Sequence, residues 1–344
     1  MKPRIVLDVM GGDLGPGPAV EGALQAVKNL DVEVILVGRI EDIEPELPDG
    51  DAAEGLRIVD AREVILMHDN PTEAVRGKPD SSMNVGMLLL KDGEADAFVT
   101  AGNTGGAMTA ALLKLGRIRG ISRPALATVF PAPAGRTIIL DVGANADARA
   151  IHLIQFAHMG SAYMKRMYKV ESPRVGLISN GEEEGKGNAL ALEVYDVLRQ
   201  GNLNFTGNVE GNGLMTFAVD VAITDGFTGN VLMKTAEGIG AMIYGEVERA
   251  ARQKLWTKLA GLMLKSELKK TRRRLDHGET GGAQLLGTKG NIIIGHGSSN
   301  ARSTFSSIRA ARDDVRSGLL EVMQQVAEEV PARPRKGRAE TVAD

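Results

Sequence analysis

The chain has 344 residues and a formal net charge of −3, and only 3% of its residues are aromatic. This composition disfavours a nucleic-acid-binding protein, which would present an excess of basic side chains and aromatic platforms for base stacking. The absence of cysteine excludes disulfides, thiolate metal sites and a cysteine nucleophile. Since there is also no signal peptide and no apolar run of about 20 residues, we expect a cytoplasmic protein that does not cross a membrane.

Short apolar segments alternate with helical patterns along most of the chain. The segments are rich in valine and isoleucine and lack strict alternation, as expected of parallel strands covered on both faces. They are residues 5–9, 32–37, 97–100, 126–130, 137–141, 174–178, 219–224 and 291–294. Helical periodicity is clearest in residues 18–29, 83–92, 104–115, 152–168 and 189–199. The alternation predicts an α/β protein: one three-layer α/β/α domain over residues 1–330 with a mainly parallel sheet, followed by a disordered tail at 331–344.

Residues 227–275 differ from the rest, because they form one long helical pattern that we expect to break near Gly261 and to fold as a basic hairpin within about 227–280. Residues 252–274 contain nine basic side chains against one acidic side chain, Glu267. Docking of an acidic partner, shallow insertion into an anionic membrane and a dimer helix with a solvated basic face all remain open. The expected contact residues are Trp256, Leu259, Leu262, Met263, Lys265, Lys269, Arg272 and Arg273.

Glycine is abundant, with 42 residues, and five polar glycine-rich loops follow predicted strands. Backbone amides in such loops can approach an anion closely. The first loop, DVMGGD, lacks the G-x-G-x-x-G spacing of a dinucleotide site, and a simple tight turn remains open. The second loop, TAGNTGG, begins a helix, and its amides favour phosphate binding over plain capping. The residues of interest in these loops are Asp8, Gly11, Gly12, Asp13, Asn103, Thr104 and Gly105.

The third loop, ISNGEEEGKGN, contains Lys186 between two glycines, where the lysine can neutralise an anion without steric obstruction. Glu182 is interpreted as a base, a partner of the lysine or a support of the loop, although an inert, exposed loop is also compatible with the sequence. In the fourth loop, TDGFTGN, Asp225 precedes a helix and Asn230 lies within it, so both are candidates for stabilising an oxyanion or phosphate.

Two further strand ends carry polar side chains. The motif DVGAN places Asp141 and Asn145 after one strand, and the fifth loop, GHGSSN, places His296, Ser298 and Ser299 after another. A loop histidine is often only a structural hydrogen-bonding group, and that reading stays open beside the functional one. Because parallel sheets bind ligands at the carboxyl ends of their strands, we expect these loops to converge.

Eight ordered motifs resemble those of the phosphate acyltransferases of bacterial phospholipid synthesis, the PlsX family. They are DVMGGD, AGNTGG, DVGAN, GEEEGKGN, GNVEG, TDGFTGN, LLGTKG and GHGSS, and they run from residue 8 to about residue 305. The resemblance implies a fold similar to isocitrate and isopropylmalate dehydrogenases and to phosphotransacetylases, a homodimer, and neither metal nor cofactor. The family lysine falls on Lys186 and the family asparagine on Asn230. One departure is Asn212–Gly213, where the family usually has Arg-Asp.

The resemblance also implies a reaction: a long-chain acyl group passes from acyl carrier protein to inorganic phosphate, giving acyl-phosphate and free carrier. Phosphate needs positioning more than activation, because a large fraction is already the dianion near neutral pH. We expect Lys186 and the amides at Asn103 and Thr104 to hold phosphate, with Ser298 and Ser299 nearby. Asn230 would stabilise the tetrahedral oxyanion. His296 would polarise a group or protonate the leaving thiolate.

The partners expected on this reading are acyl carrier protein, inorganic phosphate, a second copy of the chain, the anionic inner face of the membrane and a downstream membrane acyltransferase. Three alternatives remain open: a phosphotransacetylase acting on short acyl-CoA, a metal- and NAD-dependent dehydrogenase, and a non-enzymatic membrane scaffold. The dehydrogenase would require a carboxylate cluster for a divalent ion, for which Asp220 and Asp225 are the nearest pair. The scaffold would leave the five polar loops without a role.

Overall fold

The structure is a computed structural model that describes residues 2–48, 54–132, 135–275 and 281–330. Its strands are β1 (Arg4–Asp8), β2 (Glu33–Gly38), β3 (Leu56–Asp60), β4 (Ala97–Thr100), β5 (Ala125–Ala132), β6 (Gly135–Leu140), β7 (Val175–Ile178), β8 (Phe205–Val209), β9 (Val221–Ile223), β10 (Ala283–Leu286) and β11 (Asn291–Ile294). They form one sheet in the order β3-β2-β1-β4-β11-β10-β5-β6-β9-β7-β8. The predicted tail, residues 331–344, lies outside the described residues.

Helices connect most of the strands. They are α1 (Pro16–Asn29), α2 (Ile40–Ile43) with a 3₁₀ turn (Glu44–Glu46), α3 (Pro71–Gly77), α4 (Ser82–Lys91), α5 (Thr104–Lys114), α6 (Ala150–Tyr168), α7 (Ala189–Arg199), α8 (Gly211–Met215), α9 (Gly226–Arg252), α10 (Leu255–Leu275), α11 (Ala301–Ser317) and α12 (Leu319–Glu329). In the described part of the chain, no helix is long and apolar enough to cross a membrane.

The sheet is covered on both faces, because successive side chains of a strand point to opposite sides. Val6 and Phe98 pack in one apolar cluster with α3, α4, α5 and the start of α9. Leu7 and Val99 pack on the other face with α1 and α11, and α6, α7 and α12 extend that second layer over β6, β7 and β9. The predicted three-layer α/β/α fold with a mainly parallel sheet is therefore confirmed.

The strands do not all run in one direction. Residues 126–130 are predicted as a parallel strand, but β5 is antiparallel to both of its neighbours, β10 and β6. Only two residues separate β5 from β6, and a connection that short can join only antiparallel strands. As a result, the parallel group β6, β9, β7 and β8 runs opposite to the parallel group β1, β2, β3, β4 and β11.

The predicted helical hairpin is present as α9 and α10, which contact each other. Its break lies at residues 253–254 rather than at Gly261, which is inside α10. A Cβ at Gly261 would lie 2.9 Å from the Cβ of Ala251, so this glycine allows the two helices to pack closely. Trp256 and Met263 are each 79% exposed on α10. The side chains of Arg272 and Arg273 lie outside the described atoms.

A buried carboxyl group on α11 departs from ordinary Asp behaviour. Asp314 is 2% exposed, and its Oδ1 atom has no hydrogen-bond partner among the described residues. Burial, reinforced by the neighbouring Asp313, raises the pKa of Asp314 well above its ordinary value. The folded state therefore binds this proton more tightly than the unfolded state does. The contribution of Asp314 to the free energy of unfolding is therefore fully present below the ordinary Asp pKa. It is lost as pH rises from there through the raised pKa of the folded state.

We expect Asp314→Asn to increase the free energy of unfolding at neutral pH by about 1–3 kcal/mol, because the amide cannot ionise in this buried position. The gain should shrink as pH falls below about 4, where the wild-type carboxyl becomes protonated in the unfolded state as well as in the folded state. Urea denaturation at a series of pH values measures both effects. Glu193→Gln, at an exposed position on α7, is the control and should change little at any pH. A gain that is independent of pH would contradict the assignment.

Candidate active site

The predicted site residues fall into two groups. The amino-terminal loop cluster, defined here as residues 8–13, 101–105 and 295–299, follows β1, β4 and β11. The carboxy-terminal loop cluster, defined as residues 141–145, 179–188 and 224–230, follows β6, β7 and β9. Because the two strand groups run in opposite directions, these clusters lie at opposite edges of the sheet. The expectation that all the loops converge at one edge is wrong, and the physical cause is the reversal at the β5–β6 connection.

Asp8 organises the base of the amino-terminal loop cluster. Its buried Oδ2 accepts a hydrogen bond of 2.7 Å from the Thr100 hydroxyl, whose oxygen accepts one of 2.9 Å from the Gly102 amide. Burial raises the pKa of Asp8, while hydrogen bonds from Ser82 and Thr100 oppose the shift. A Cβ at Gly11 would lie 2.7 Å from the Gly102 nitrogen, so only glycine allows the first two loops to meet here.

The third loop of this cluster joins the same assembly. The Asp13 amide donates to the Gly297 carbonyl at 2.8 Å, and Gly12 lies beside that carbonyl. A Cβ at Gly297 would lie 2.4 Å from both Asp13 Oδ2 and Met67 Cε. Residues following three different strands are therefore packed backbone to backbone. These three loops therefore meet at one edge of the sheet, although the full set of polar loops does not.

Asn103 is fully engaged in holding the start of α5. Its Oδ1 accepts from the Gly106 amide at 2.9 Å, and its Nδ2 donates to the carbonyls of Leu66, Met67 and Asp69 at 3.1–3.2 Å. The exposed Thr104 and its neighbour Gly105 occupy the first positions of the helix, where amides have no intrahelical acceptor. These amides, rather than the Asn103 side chain, are the groups that this helix end offers to an anion.

His296 lies between two polar side chains at the exposed surface of the amino-terminal loop cluster. Its Nδ1 is 2.8 Å from Ser298 Oγ, and its Nε2 is 3.2 Å from Lys234 Nζ. Lys234 also forms a salt bridge of 2.8 Å with Glu237. Ser299 is half-buried, and its amide donates to the His296 carbonyl at 2.9 Å.

Lys234 was missed by the sequence reasoning. The sequence feature that could have indicated Lys234 is its position at the end of TDGFTGNVLMK. It lies one helical turn after Asn230 and therefore on the same face of α9. Only the fold shows that α9 brings Lys234 close to the amino-terminal loop cluster. The helix begins at the carboxy-terminal loop cluster, and Lys234 contacts a residue of the amino-terminal loop cluster.

Asp141 and Asn145 tie the carboxy-terminal loop cluster together. The buried Asp141 carboxylate accepts hydrogen bonds of 2.7–3.1 Å from the amides of Leu126, Gly143, Ala144 and Asn145 and from the Asn145 side chain. Asn145 in turn donates through Nδ2 to the Pro124 carbonyl, and its own carbonyl accepts from the Gly226 amide, both at 2.8 Å. These contacts connect the end of β6, the start of β5 and the first turn of α9.

Asp225 and Asn230 occupy different positions on α9. The Asp225 carboxylate caps the helix by accepting from the amide and hydroxyl of Thr228 at 2.8 and 2.9 Å. Asn230 is exposed, one turn further along. The side chain of Asp225 therefore supports the helix start, whereas that of Asn230 is presented to solvent.

Lys186 is exposed in a loop that is held by contacts with Asn208 and Arg199. Asn208 Nδ2 donates to the Glu183 carbonyl at 2.9 Å, and Glu184 pairs with Arg199. Within the described ranges, no carboxylate forms a salt bridge with Lys186, and Glu182 in the same loop is also exposed. The ammonium group is accordingly available to an external anion.

The carboxylate pair required by the dehydrogenase alternative is not assembled. Asp220 lies at the beginning of β9 and forms a salt bridge of 3.0 Å with Arg174, while Asp225 lies beyond the end of that strand. In the part of the chain that the structure describes, no group of three or more histidine or acidic side chains is placed to hold a metal ion.

Comparison with known proteins identifies the family. The profile of the family described as "Fatty acid synthesis protein" matches residues 3–322. This chain belongs to that family. A protein named "Phosphate acyltransferase" from Desulfitobacterium hafniense (strain DSM 10664 / DCB-2) is 45% identical over 329 residues, which are 95% of this chain and 98% of that protein. A second relative of that name, from Pelotomaculum thermopropionicum, is 44% identical over 334 residues, covering 97% and 98% of the two chains.

A solved structure supports the fold alone. A phosphotransacetylase from Streptococcus pyogenes superposes with a TM-score of 0.62 at 18% identity, covering 93% of this chain and 94% of that one. The predicted likeness to phosphotransacetylases is therefore confirmed at the level of architecture.

Gly229 and Gly238 form a matched pair on α9. A Cβ at Gly229 would lie 1.9 Å from the Asp141 carbonyl oxygen, whereas a Cβ at Gly238 meets nothing within 4 Å. We expect Gly229→Ala to displace the start of α9 and to destabilise the fold by about 2–5 kcal/mol. Gly238→Ala should stabilise it by about 0.5–1 kcal/mol, because alanine favours the helix. Urea denaturation of both variants tests this, and equal effects would contradict the close approach.

Proposed function

We propose that this protein is an acyltransferase that converts long-chain acyl-[acyl carrier protein] and inorganic phosphate into acyl-phosphate and free carrier, for phospholipid synthesis. The observation that carries the proposal is the 44–45% identity, over nearly the full chain, to proteins named phosphate acyltransferase. The geometry supports it through groups suited to an anion: the amides of Thr104 and Gly105, the Ser298 hydroxyl and the ammonium group of Lys186.

The proposed reaction needs no covalent intermediate with the enzyme. A phosphate oxygen attacks the thioester carbonyl carbon, a C–O bond forms, and the tetrahedral intermediate collapses with loss of the carrier thiolate. The Thr104 and Gly105 amides and the Ser298 hydroxyl, which belong to one loop cluster, hold the phosphate. Lys186, at the other edge of the sheet, supplies a separate positive charge. The Asn230 amide donates to the developing oxyanion. The two ring nitrogens of His296 face Ser298 and Lys234. His296 therefore acts on the bound phosphate through the Ser298 hydroxyl.

The position of α9 supports a shared role for the two loop clusters. Asn230 comes from the carboxy-terminal loop cluster, and Lys234, one turn later, contacts His296 of the amino-terminal loop cluster. We also propose that residues 1–330 act as one catalytic domain. The continuous sheet and the apolar cluster that joins Val6 to Met233 support this assignment.

The first test measures release of free carrier from palmitoyl-[acyl carrier protein] in metal-free buffer, with and without phosphate. We expect phosphate-dependent release, reduced about a hundredfold or more in Lys186→Ala, because the variant loses the exposed ammonium group of the carboxy-terminal loop cluster. Lys91→Ala, at an exposed position at the end of α4 and in neither loop cluster, is the control and should retain full activity. Acetyl-CoA replaces the substrate in a parallel assay. Turnover confined to acetyl-CoA would support the phosphotransacetylase alternative instead.

The α9–α10 hairpin is the proposed docking surface. Lys265 and Lys269 are exposed beside Trp256, Leu262 and Met263, so α10 combines positive charge with apolar side chains. This combination suits the acidic surface of acyl carrier protein and the anionic inner face of the membrane. Contact with the membrane would deliver the hydrophobic product to a downstream membrane acyltransferase.

A homodimer is also proposed. Along α9, several large apolar side chains are 48–66% exposed in the single chain, and a second copy would remove them from water. They are Phe227, Val231, Ile239, Met242 and Ile243.

The membrane proposal is tested by Leu259→Asp combined with Leu262→Asp, at positions 57% and 69% exposed. The double variant should lose sedimentation with anionic liposomes, because the charges oppose insertion of the apolar side chains. Acyl transfer in solution should be retained. Leu113→Asp, at a leucine 51% exposed on α5, is the control and should still sediment. Unchanged liposome binding of the double variant would reject the membrane role, and conversion to a monomer would assign α10 to the dimer interface.

A further inference from the structure

Three side chains form a connected row at the surface of the amino-terminal loop cluster. Lys234 Nζ lies 3.2 Å from His296 Nε2, and His296 Nδ1 lies 2.8 Å from Ser298 Oγ. Lys234 comes from α9, whereas the other two residues follow β11. The contact therefore joins the two oppositely directed halves of the sheet at a candidate anion-binding loop.

The hydrogen-bonding capacity of the lysine determines which nitrogen of the His296 ring carries the proton. An ammonium group has three donors and no lone pair, so an attractive contact with His296 requires Nε2 to be the acceptor. In neutral imidazole the other nitrogen, Nδ1, then carries the proton. That N–H donates to Ser298 Oγ at 2.8 Å. Because the oxygen already accepts this hydrogen bond, the Ser298 hydroxyl hydrogen is free to point away from the ring.

We propose that Lys234 is a positioning residue that holds His296 as the Nδ1–H tautomer, so that Ser298 presents its hydroxyl hydrogen to an oxygen of bound inorganic phosphate. The part of this proposal that concerns phosphate rests on the proposed function, whereas the assignment of the His296 tautomer does not depend on it. Lys234 acts through His296 and Ser298. Its pairing with Glu237 at 2.8 Å holds the ammonium from the helix side.

The opposite tautomer would accept the 3.3 Å hydrogen bond from the Ser298 amide, but it would lose the charge-assisted hydrogen bond from Lys234, which is the stronger of the two. With a proton on Nε2, that N–H would face the donors of Lys234, and two donors would meet at 3.2 Å without an acceptor. Nδ1 would then accept from the Ser298 hydroxyl at 2.8 Å and from the Ser298 amide at 3.3 Å. The hydroxyl hydrogen would be directed into the ring and lost to any ligand. Lys234 thus determines whether the Ser298 hydroxyl hydrogen points to a ligand or to the His296 ring.

Nitrogen-15 NMR of histidine in the full-length protein tests the tautomer directly. The His296 signals are assigned by comparison with His296→Gln, and spectra are recorded at mildly alkaline pH. We expect the Nδ1–H pattern in the wild type and the common Nε2–H pattern in Lys234→Met, which keeps the length of the side chain but removes its donors. Lys234→Arg should retain the Nδ1–H pattern. Glu237→Gln, which removes only the other partner of the lysine, should retain it too.

Steady-state kinetics test the consequence for phosphate. Lys234→Met should raise KM for phosphate about tenfold, the effect of losing one charge-assisted hydrogen bond, with a smaller change in kcat. Lys234→Arg should restore most of the loss. Adding Lys234→Met to Ser298→Ala should cause little further change, because both substitutions remove the same donor. Equal urea midpoints for the variants exclude a general effect on folding.

Two NMR results would overturn the positioning role: an Nε2–H or doubly protonated His296 in the wild type, or an Nδ1–H ring that persists in Lys234→Met. Fully additive losses in the double variant would also overturn it. The NMR outcome is independent of the reaction. If the wild type does not transfer acyl groups to phosphate, the proposed function fails, while the tautomer result still decides the role of Lys234.

Discussion

The reversal of strand direction at the β5–β6 connection is the constraint on which the rest of the structure depends. Two residues join these strands, and so short a link admits only an antiparallel pair. Every strand beyond it in the sheet inherits the opposite direction. The polar loops are thereby divided between two edges, and a helix must run between the edges to connect them. The long α9 has this position.

The start of α9 is held by backbone contacts that leave no room for adjustment. Gly229 lies against the Asp141 carbonyl, while the Asp141 side chain gathers the amides that shape the preceding loop. With its start held in this way, the helix directs Lys234 to His296. Buried acceptors in one loop cluster therefore determine how a proton is placed in the other. The structural residues Asp141 and Asn145 contribute to the site through this geometry.

The hairpin of α9 and α10 provides a second, separate surface. Its packing depends on a close approach at Gly261, while its outer face carries exposed apolar and basic side chains together. A monomer has no folding reason to expose Trp256 and Met263 to this extent. The chemistry proposed for the loops and the proposed recognition of a macromolecular or lipid partner thus lie on different parts of one chain, connected by α9.

The sequence by itself determined the layered α/β fold, most of the elements and the identity of the polar loops, because these follow from local periodicity and from motifs contiguous in the chain. It did not reveal β3, β8 and β10, which are short segments with weak or interrupted apolar patterns. It assigned the amide at Asn103 to phosphate but did not reveal that the Asn103 side chain holds the carbonyls of Leu66, Met67 and Asp69. Only the tertiary structure decided strand direction, the two-edge arrangement and the contact of Lys234 with His296. These depend on pairings between residues far apart in the chain, which local patterns do not encode.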